Sequence, residues 1–220
     1  MAITINGNGT VTGISVGGLP DGIVDTDMLA ALAVSDAKIA NTTITDAKIA
    51  NTTISEGKLA ASVNTITEAD QWRVNTQFTT DDASPIGANW ERADTIFDKI
   101  GTGMTESSGV FTFPSTGIWR VDFQTYCYRV NSDVRFTSAD IQATDDGGSN
   151  WTVRSSLYNN VGTSSALGVF SAMSPSVILD ITSTSDKKVR FRVQSSSDCV
   201  WEANSTSQVM GATFIRLGDT

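Results

Sequence analysis

Histidine is absent from the 220 residues. That removes the commonest general base and the commonest metal ligand together, and with them any Ser–His or Cys–His nucleophilic pair. Cysteine occurs only at Cys127 and Cys199, too few for a disulfide scaffold. The N-terminus lacks a basic stretch followed by an apolar one, so the expectation is synthesis in a reducing cytoplasm and two buried thiols. Pairing stays open if the strands that carry them are neighbours. Apolar runs are short, and none reaches the 18 residues a membrane span would use. Positive charge is scarce: 15 Lys and Arg stand against 24 Asp and Glu, for a net charge of −9. No basic patch of the kind that grips nucleic acid is visible. Proline is rare at 4 residues, while glycine reaches 18. Long helical patterns are few, and the mixture favours β structure.

What is present begins with a repeat. Residues 22–62 return every ten residues: Val24, Val34, Ile44 and Ile54 hold one column, and Leu29, Ile39, Ile49 and Leu59 hold another five positions on. Within each unit a Ser, Thr or Asp ahead of an acidic residue suits the N-terminus of a short helical turn. Asn-Thr-Thr-Ile then reads as extended. One turn of helix does not stand alone, and two apolar side chains per unit make no core within one chain. The repeat therefore needs neighbours, either as a solenoid of its own units or, as we expect, as an intertwined stem of several chains. Leu29, Val34, Ile39, Ile44, Ile49 and Ile54 would then face the shared axis, with Lys38, Lys48 and Lys58 in water.

Ahead of the repeat, Ile3 and Ile5 alternate with polar residues, Asn6-Gly7-Asn8-Gly9 is a turn signal, and Thr10-Val11-Thr12 is a second strand. A hairpin this small is marginal alone and gains order by docking, with Ile3, Ile5, Val11 and Ile14 as its apolar contacts. The wording MAITINGNGTVTGISVGGLPDGIVDTDMLA, followed by units such as VSDAKIANTTI, resembles the N-terminal segment of tailed-bacteriophage fibre proteins. The resemblance covers about residues 1–62. It implies a virion appendage with three parts: a particle-docking segment over 1–21, a stem over 22–62, and a head over 66–220.

The head reads as short alternating runs separated by turns. In Ile118–Cys127, Trp119, Val121, Phe123 and Cys127 share one face, and Arg120, Asp122 and Gln124 the other. Val189–Val193 alternates as cleanly. Residues 177–181 form a continuous apolar run, as in a strand covered on both sides. Trp72, Val74 and Phe78 are expected in the core, and Thr79–Pro85 as a polar loop. Turn signals stand at Ser107–Gly109, Pro114–Gly117, Asp145–Gly148 and Ser183–Asp186. The fold class is mostly β: a C-terminal β-sandwich jelly roll behind the hairpin and the stem of short helical turns. Gly109, Phe111, Pro114 and Gly117, with Trp119 where an aromatic is usual and Phe214 and Leu217 in the closing strand, resemble the head shared by complement first component and tumour necrosis factor. That resemblance implies a homotrimer; no metal or receptor residue of the family is matched.

Chemistry-bearing candidates are few. Asp145–Asn150 is oxygen-rich but lacks EF-hand spacing, and a hairpin turn accounts for it without metal. Asp94, Asp98 and Glu106 are carboxylates available to a glycosidase, spaced like ordinary solvated residues. Cys127 falls on an apolar face, as an inert thiol does. Trp119 and Phe191 read as core. Tyr126, Tyr128, Trp151, Tyr158 and Trp201 fall on other faces or near loops, where rings stack on sugars or anchor a protein; packing against a neighbouring strand or subunit is the alternative. The expectation is a non-enzymatic virion tail fibre with no cofactor, neither binding nucleic acid nor inserting in a membrane. Its partners would be itself, tail, baseplate or neck proteins at the N-terminus, and a host-surface glycan or outer-membrane protein at the head. A decoration fibre of the head or neck and a polysaccharide-degrading tailspike are the rivals.

Overall fold

The structure, a computed structural model, describes residues 4–5, 11–12, 39, 44, 49, 66–129, 134–162 and 169–220. The chain divides into two compact units, Met1–Ala61 and Ser62–Thr220. In the first, β1 (Thr4–Ile5) pairs antiparallel with β2 (Val11–Thr12), Ile5 opposite Val11. Ile39, Ile44 and Ile49 stand 39%, 54% and 40% exposed in the single chain. Ile3, Ile14, Leu29, Val34 and Ile54 lie outside the described residues.

The second unit is built from β3 (Ala69–Val74), β4 (Phe78–Ala83), β5 (Trp90–Arg92), β6 (Lys99–Ile100), β7 (Thr105–Ser107), β8 (Val110–Thr112), β9 (Gly117–Arg129), β10 (Val134–Thr144), β11 (Thr152–Val161), β12 (Val169–Met173), β13 (Ser176–Ile181), β14 (Lys188–Trp201) and β15 (Gly211–Gly218). No helix occurs among the described residues. Eight of these strands carry the topology. Taken in order as β3, β8, β9, β10, β11, β13, β14 and β15, the first pairs with the last, the second with the seventh, the third with the sixth and the fourth with the fifth, every pair antiparallel. That nesting is a long hairpin wound around a core, which is a jelly roll. One sheet runs β3–β15–β9–β13, with β5 and β6 added beside β3. The other runs β8–β14–β10–β11, with β4 on β14 and β7 on β8. The far halves of β9 and β14 meet each other, Cys127 opposite Trp201, so the sheets join along that side.

Alternation explains why the two long strands sit where they do. On β9 the residues Trp119, Val121, Phe123 and Cys127 are at most 1% exposed, whereas Arg120 and Gln124 reach solvent. Val189, Phe191 and Val193 of β14 are fully buried between the outward Lys188, Arg190 and Arg192. Rings then fill the space between the sheets. Phe123 stacks on Phe191 at 4.8 Å, and Phe111 meets Phe214 at 5.2 Å, each pair joining one sheet to the other. Trp90 and Trp72 close over Phe111 edge-on. Such pairs add about 0.5–1.5 kcal/mol each beyond the area they bury. The β7–β8 turn depends on Gly109. Its φ is 81°, and a Cβ there would sit 2.2 Å from the Ile86 carbonyl oxygen.

Two expectations for the head are corrected. The stretch expected as a polar loop is mostly strand: β4 pairs with β14, Asp82 opposite Gln194. Its two threonines suit a strand and its two aspartates do not, so the pairing partner decides. The run at 177–181 is not covered on both sides. It lies on β13, paired with β9 alone, and Ile178 is 63% exposed. Val74 is fully buried as expected, while Trp72 and Phe78 are half-buried.

Candidate binding surfaces of the head

The five aromatic candidates separate into four places. Trp201 belongs to the core and is withdrawn as a ligand contact. It is fully buried, and its indole N–H donates to the Thr80 carbonyl at 3.1 Å across the β4–β14 pair. The 14-residue β14 continues through the polar Ser195–Asp198 segment and turns Trp201 inward at its end.

Tyr126 and Tyr128 alternate outward on the far half of β9, opposite Ala172 and Phe170 of β12. The Phe170 ring lies between them, 5.7 Å from Tyr126 and 5.6 Å from Tyr128, and is 61% exposed. Burial, with the Glu202 and Tyr128 side chains nearby, holds the Tyr126 phenol above its ordinary value, so it stays a neutral hydrogen-bond donor. Phe170 was missed from sequence. Its signal is the alternation Val169-Phe170-Ser171-Ala172-Met173, in which Ser171 and Met173 are buried and Phe170 is exposed.

Beside this ring group opens a groove of about 520 Å³, lined among others by Gln124, Tyr126, Ala172, Met173, Gln208 and Val209. The Gln124 amide donates to the Gln208 carbonyl, and the Gln208 amide donates to the Trp72 carbonyl at 2.9 Å, which holds the 207–209 segment against the sheet. Thr125 also lines the groove. Thr125 Oγ1 and Gln208 Oε1 are two of the three buried polar side-chain atoms without a hydrogen-bond partner among the described residues. Unpaired buried polar atoms are rare in native structures, and an internal water is the usual partner of such an atom. The surface offers an aromatic lip and an apolar wall, while the unpaired Thr125 and Gln208 oxygens lie buried beneath it.

Trp151 and Tyr158 lie elsewhere. The Trp151 indole donates to the Gly148 carbonyl at 3.0 Å, and its ring covers the Arg190 guanidinium with the Cζ 4.4 Å from the ring centroid. Tyr158 stands 72% exposed on β11, in register with Ser138.

The acidic turn is occupied by its own donors. Asp146 accepts from the Thr144 hydroxyl at 2.7 Å, the Asn150 backbone at 2.9 Å and the Asn150 amide at 2.7 Å, and these bonds hold its carboxyl well below the usual range. Asp145 pairs with Lys187 and Arg154. Among the described residues no group of three His, Cys, Asp or Glu side chains is placed to hold a metal. The carboxylates considered for glycoside chemistry are engaged structurally where contacts are seen. Asp94 lies 3.7 Å from Arg73, and Glu106 accepts the Gly109 N–H at 2.6 Å. Cys127 and Cys199 are free and fully buried, and the neighbouring Cys199 thiol together with burial pushes the Cys127 thiol up, which leaves it protonated and inert.

No protein-family model matches the chain, and no curated protein matches it. Among solved structures, the Eiger tumour necrosis factor of S. frugiperda is similar at 13% identity, covering 69% of this chain and 93% of its own, with a TM-score of 0.47. Murine APRIL at pH 5.0 is similar at 9% identity over 68% of this chain and 98% of its own, TM-score 0.48. The pH 8.5 form of murine APRIL gives 10%, 68%, 98% and 0.43. At these scores the jelly-roll assignment stands on the strand pairings and not on the likeness.

Proposed function

We propose that the chain is a non-enzymatic virion fibre of a tailed bacteriophage: residues 1–21 attach it to the particle, 22–62 form a trimeric stem, and 66–220 display a head that meets a host-surface glycan or outer-membrane protein. The observation that carries the receptor reading is the Phe170 group, an exposed ring between two tyrosines beside an open groove. Three rings gathered on one surface, one of them exposed, supply the kind of aromatic anchor that partners use. Display on three copies raises avidity without a tight single site.

The trimer reading has its own support. Across the first sheet the register places Ile178, Arg120, Ile215, Ala69 and Ile100 in one row, with Ile178 at 63% and Ile100 at 41% exposure. The β11 edge exposes Val153 and Leu157. Two different surfaces carrying exposed apolar residues on one chain suit a head-to-tail contact, which makes a ring where the rotation closes. Burying each stem isoleucine would contribute about 1.5–3 kcal/mol.

The test is adsorption of the labelled full-length protein to host cells, with competition of infection by the unlabelled protein. Phe170→Ala and Tyr126→Ala should reduce both while the protein still melts cooperatively, with the melting temperature lowered only by the lost ring contacts. A protein that neither adsorbs nor competes is a decoration fibre of the head or neck. New reducing ends released from host polysaccharide would instead identify a tailspike.

A further inference from the structure

On the outer face of the second sheet, Lys188, Arg190 and Arg192 project from alternate positions of β14, opposite Thr144, Gln142 and Asp140 of β10. Arg192 is neutralised: its fork grips both oxygens of Asp82 at 2.9 and 2.8 Å, and Asp140 lies 3.9 Å away. Arg73, Arg92, Arg120, Arg154 and Arg216 likewise pair with carboxylates. Arg190 does not. Its Nε donates to the neutral Gln142 Oε1 at 2.7 Å, and Trp151 covers one face of the guanidinium. Among the described residues its two terminal nitrogens have no partner. Lys188, one row along, donates only to the Gly147 carbonyl at 3.3 Å. A chain of net charge −9 thus leaves two adjacent cations without an acid on one sheet face.

The arrangement is prepared for a ligand in two respects. Gln142 and Trp151 fix the guanidinium plane before anything binds, so little side-chain freedom remains to be lost. The terminal nitrogens of a planar fork match the two oxygens of a carboxylate. Trp151 is itself held by Gly148, in a turn that Thr144, Asp146 and Asn150 close among themselves and that Asp186 and Lys187 tie to the neighbouring loop. We infer that Arg190, set by Gln142 and Trp151 with Lys188 beside it, binds a carboxylate borne on an acidic saccharide. The saccharide part rests on the host-surface reading above; the carboxylate part rests on the unpaired fork alone.

Calorimetric titration of the full-length protein with trigalacturonate and with an oligosialate, against neutral maltotriose and inorganic phosphate, tests this. At least one acidic saccharide should bind, more tightly than either control and more weakly as salt rises. Arg190→Gln should weaken it by about tenfold or more, the loss of a charge-assisted bond. Arg190→Lys should recover only part, because the fork is gone. Both variants should melt somewhat below the parent, since each disturbs the Gln142 bond and the Trp151 contact, but in one cooperative transition well above the titration temperature. Three results overturn the inference: binding unaltered in Arg190→Gln, maltotriose or phosphate bound as tightly as the acidic saccharides, or no acidic saccharide bound at all. The receptor reading fails separately, when the parent protein neither adsorbs to host cells nor slows infection.

Discussion

Asp70 is the residue whose loss should harm the head most for its size. Its carboxylate is 1% exposed and gathers five hydrogen bonds: from Arg92 Nε and Nη2 at 3.0 Å each, the Trp72 indole at 2.9 Å, the Met104 N–H at 2.7 Å and the Gln71 N–H at 2.9 Å. Those donors lie on β3, on β5 and just before β7, so one side chain ties three stretches together. Asp70→Asn keeps the shape and removes the charge. Its amide group would turn two N–H bonds toward donors that need an acceptor, and Arg92 would lose its anion. Breaking a buried pair costs about 3–5 kcal/mol. The Arg92 side chain is 26% exposed and can partly rehydrate, which points to the lower end, about 3 kcal/mol. In a chain of this size that lowers the melting temperature by about 6–12 °C, at roughly 2–4 °C per kcal/mol. Calorimetry of the full-length protein reads the shift. A cycle with Arg92→Gln should return a coupling of at least about 1 kcal/mol. A fall of less than about 2 °C, or two substitutions whose effects simply add, would refute the reasoning.

Hydrogen bonds from Asn75 and Arg73 lower the Glu91 carboxyl, and those from Lys187 lower Asp145. A group lowered on folding stabilises above its unfolded value and loses that contribution as the pH falls through the folded one, so the melting temperature should drop below about pH 4.5. In Glu91→Gln the drop should be shallower. Cys127→Ser should cost about 1–3 kcal/mol by burying a hydroxyl, and Cys127→Ala less, both in chemical denaturation; a melting temperature that reductant alone lowers by several degrees would instead reveal a disulfide. Residues 64–220 expressed alone should unfold in one cooperative transition, because the wound hairpin and its ring core lie wholly within them. Light scattering of the full chain should give three times its 23.3 kDa, and Ile39→Asp with Ile49→Asp should make residues 35–55 protease-sensitive; a monomeric parent or an unaltered digest would contradict an axial stem core.

The second unit was legible where one physical rule dominates a stretch. Period-two alternation placed Trp119, Val121, Phe123 and Cys127 inward on β9, and Val189, Phe191 and Val193 inward on β14, because a strand half-covered by a second sheet must present its apolar side chains at every other position. Glycine and serine clusters placed the turns, since local φ requirements are met by the residue that bears them. Misreadings arose where the partner decides. Residues 79–83 mix strand-forming threonines with aspartates and are settled by their pairing with β14, and residues 177–181 look doubly covered although the face of β13 that bears Ile178 is open.

The binding surfaces failed from sequence for a related reason. Trp201 stands among rings expected on other faces or near loops, yet β14 runs on through the polar Ser195–Asp198 stretch, with a register irregularity between Gln194 and Cys199, and returns its odd-numbered side chains to the interior. Phe170, inward by composition, faces out because parity on β12 is set by Ser171 and Met173, whose side chains meet Thr137 in the core. Arg190 is the extreme case. In the sequence it is indistinguishable from Arg192, two residues on, and both alternate outward from the same strand. Only the fold brings Asp82 to one of them, across 110 residues of chain, and only Trp151 and Gln142 to the other. A charge becomes a site through the partner it lacks, and that lack is a property of the assembled sheet.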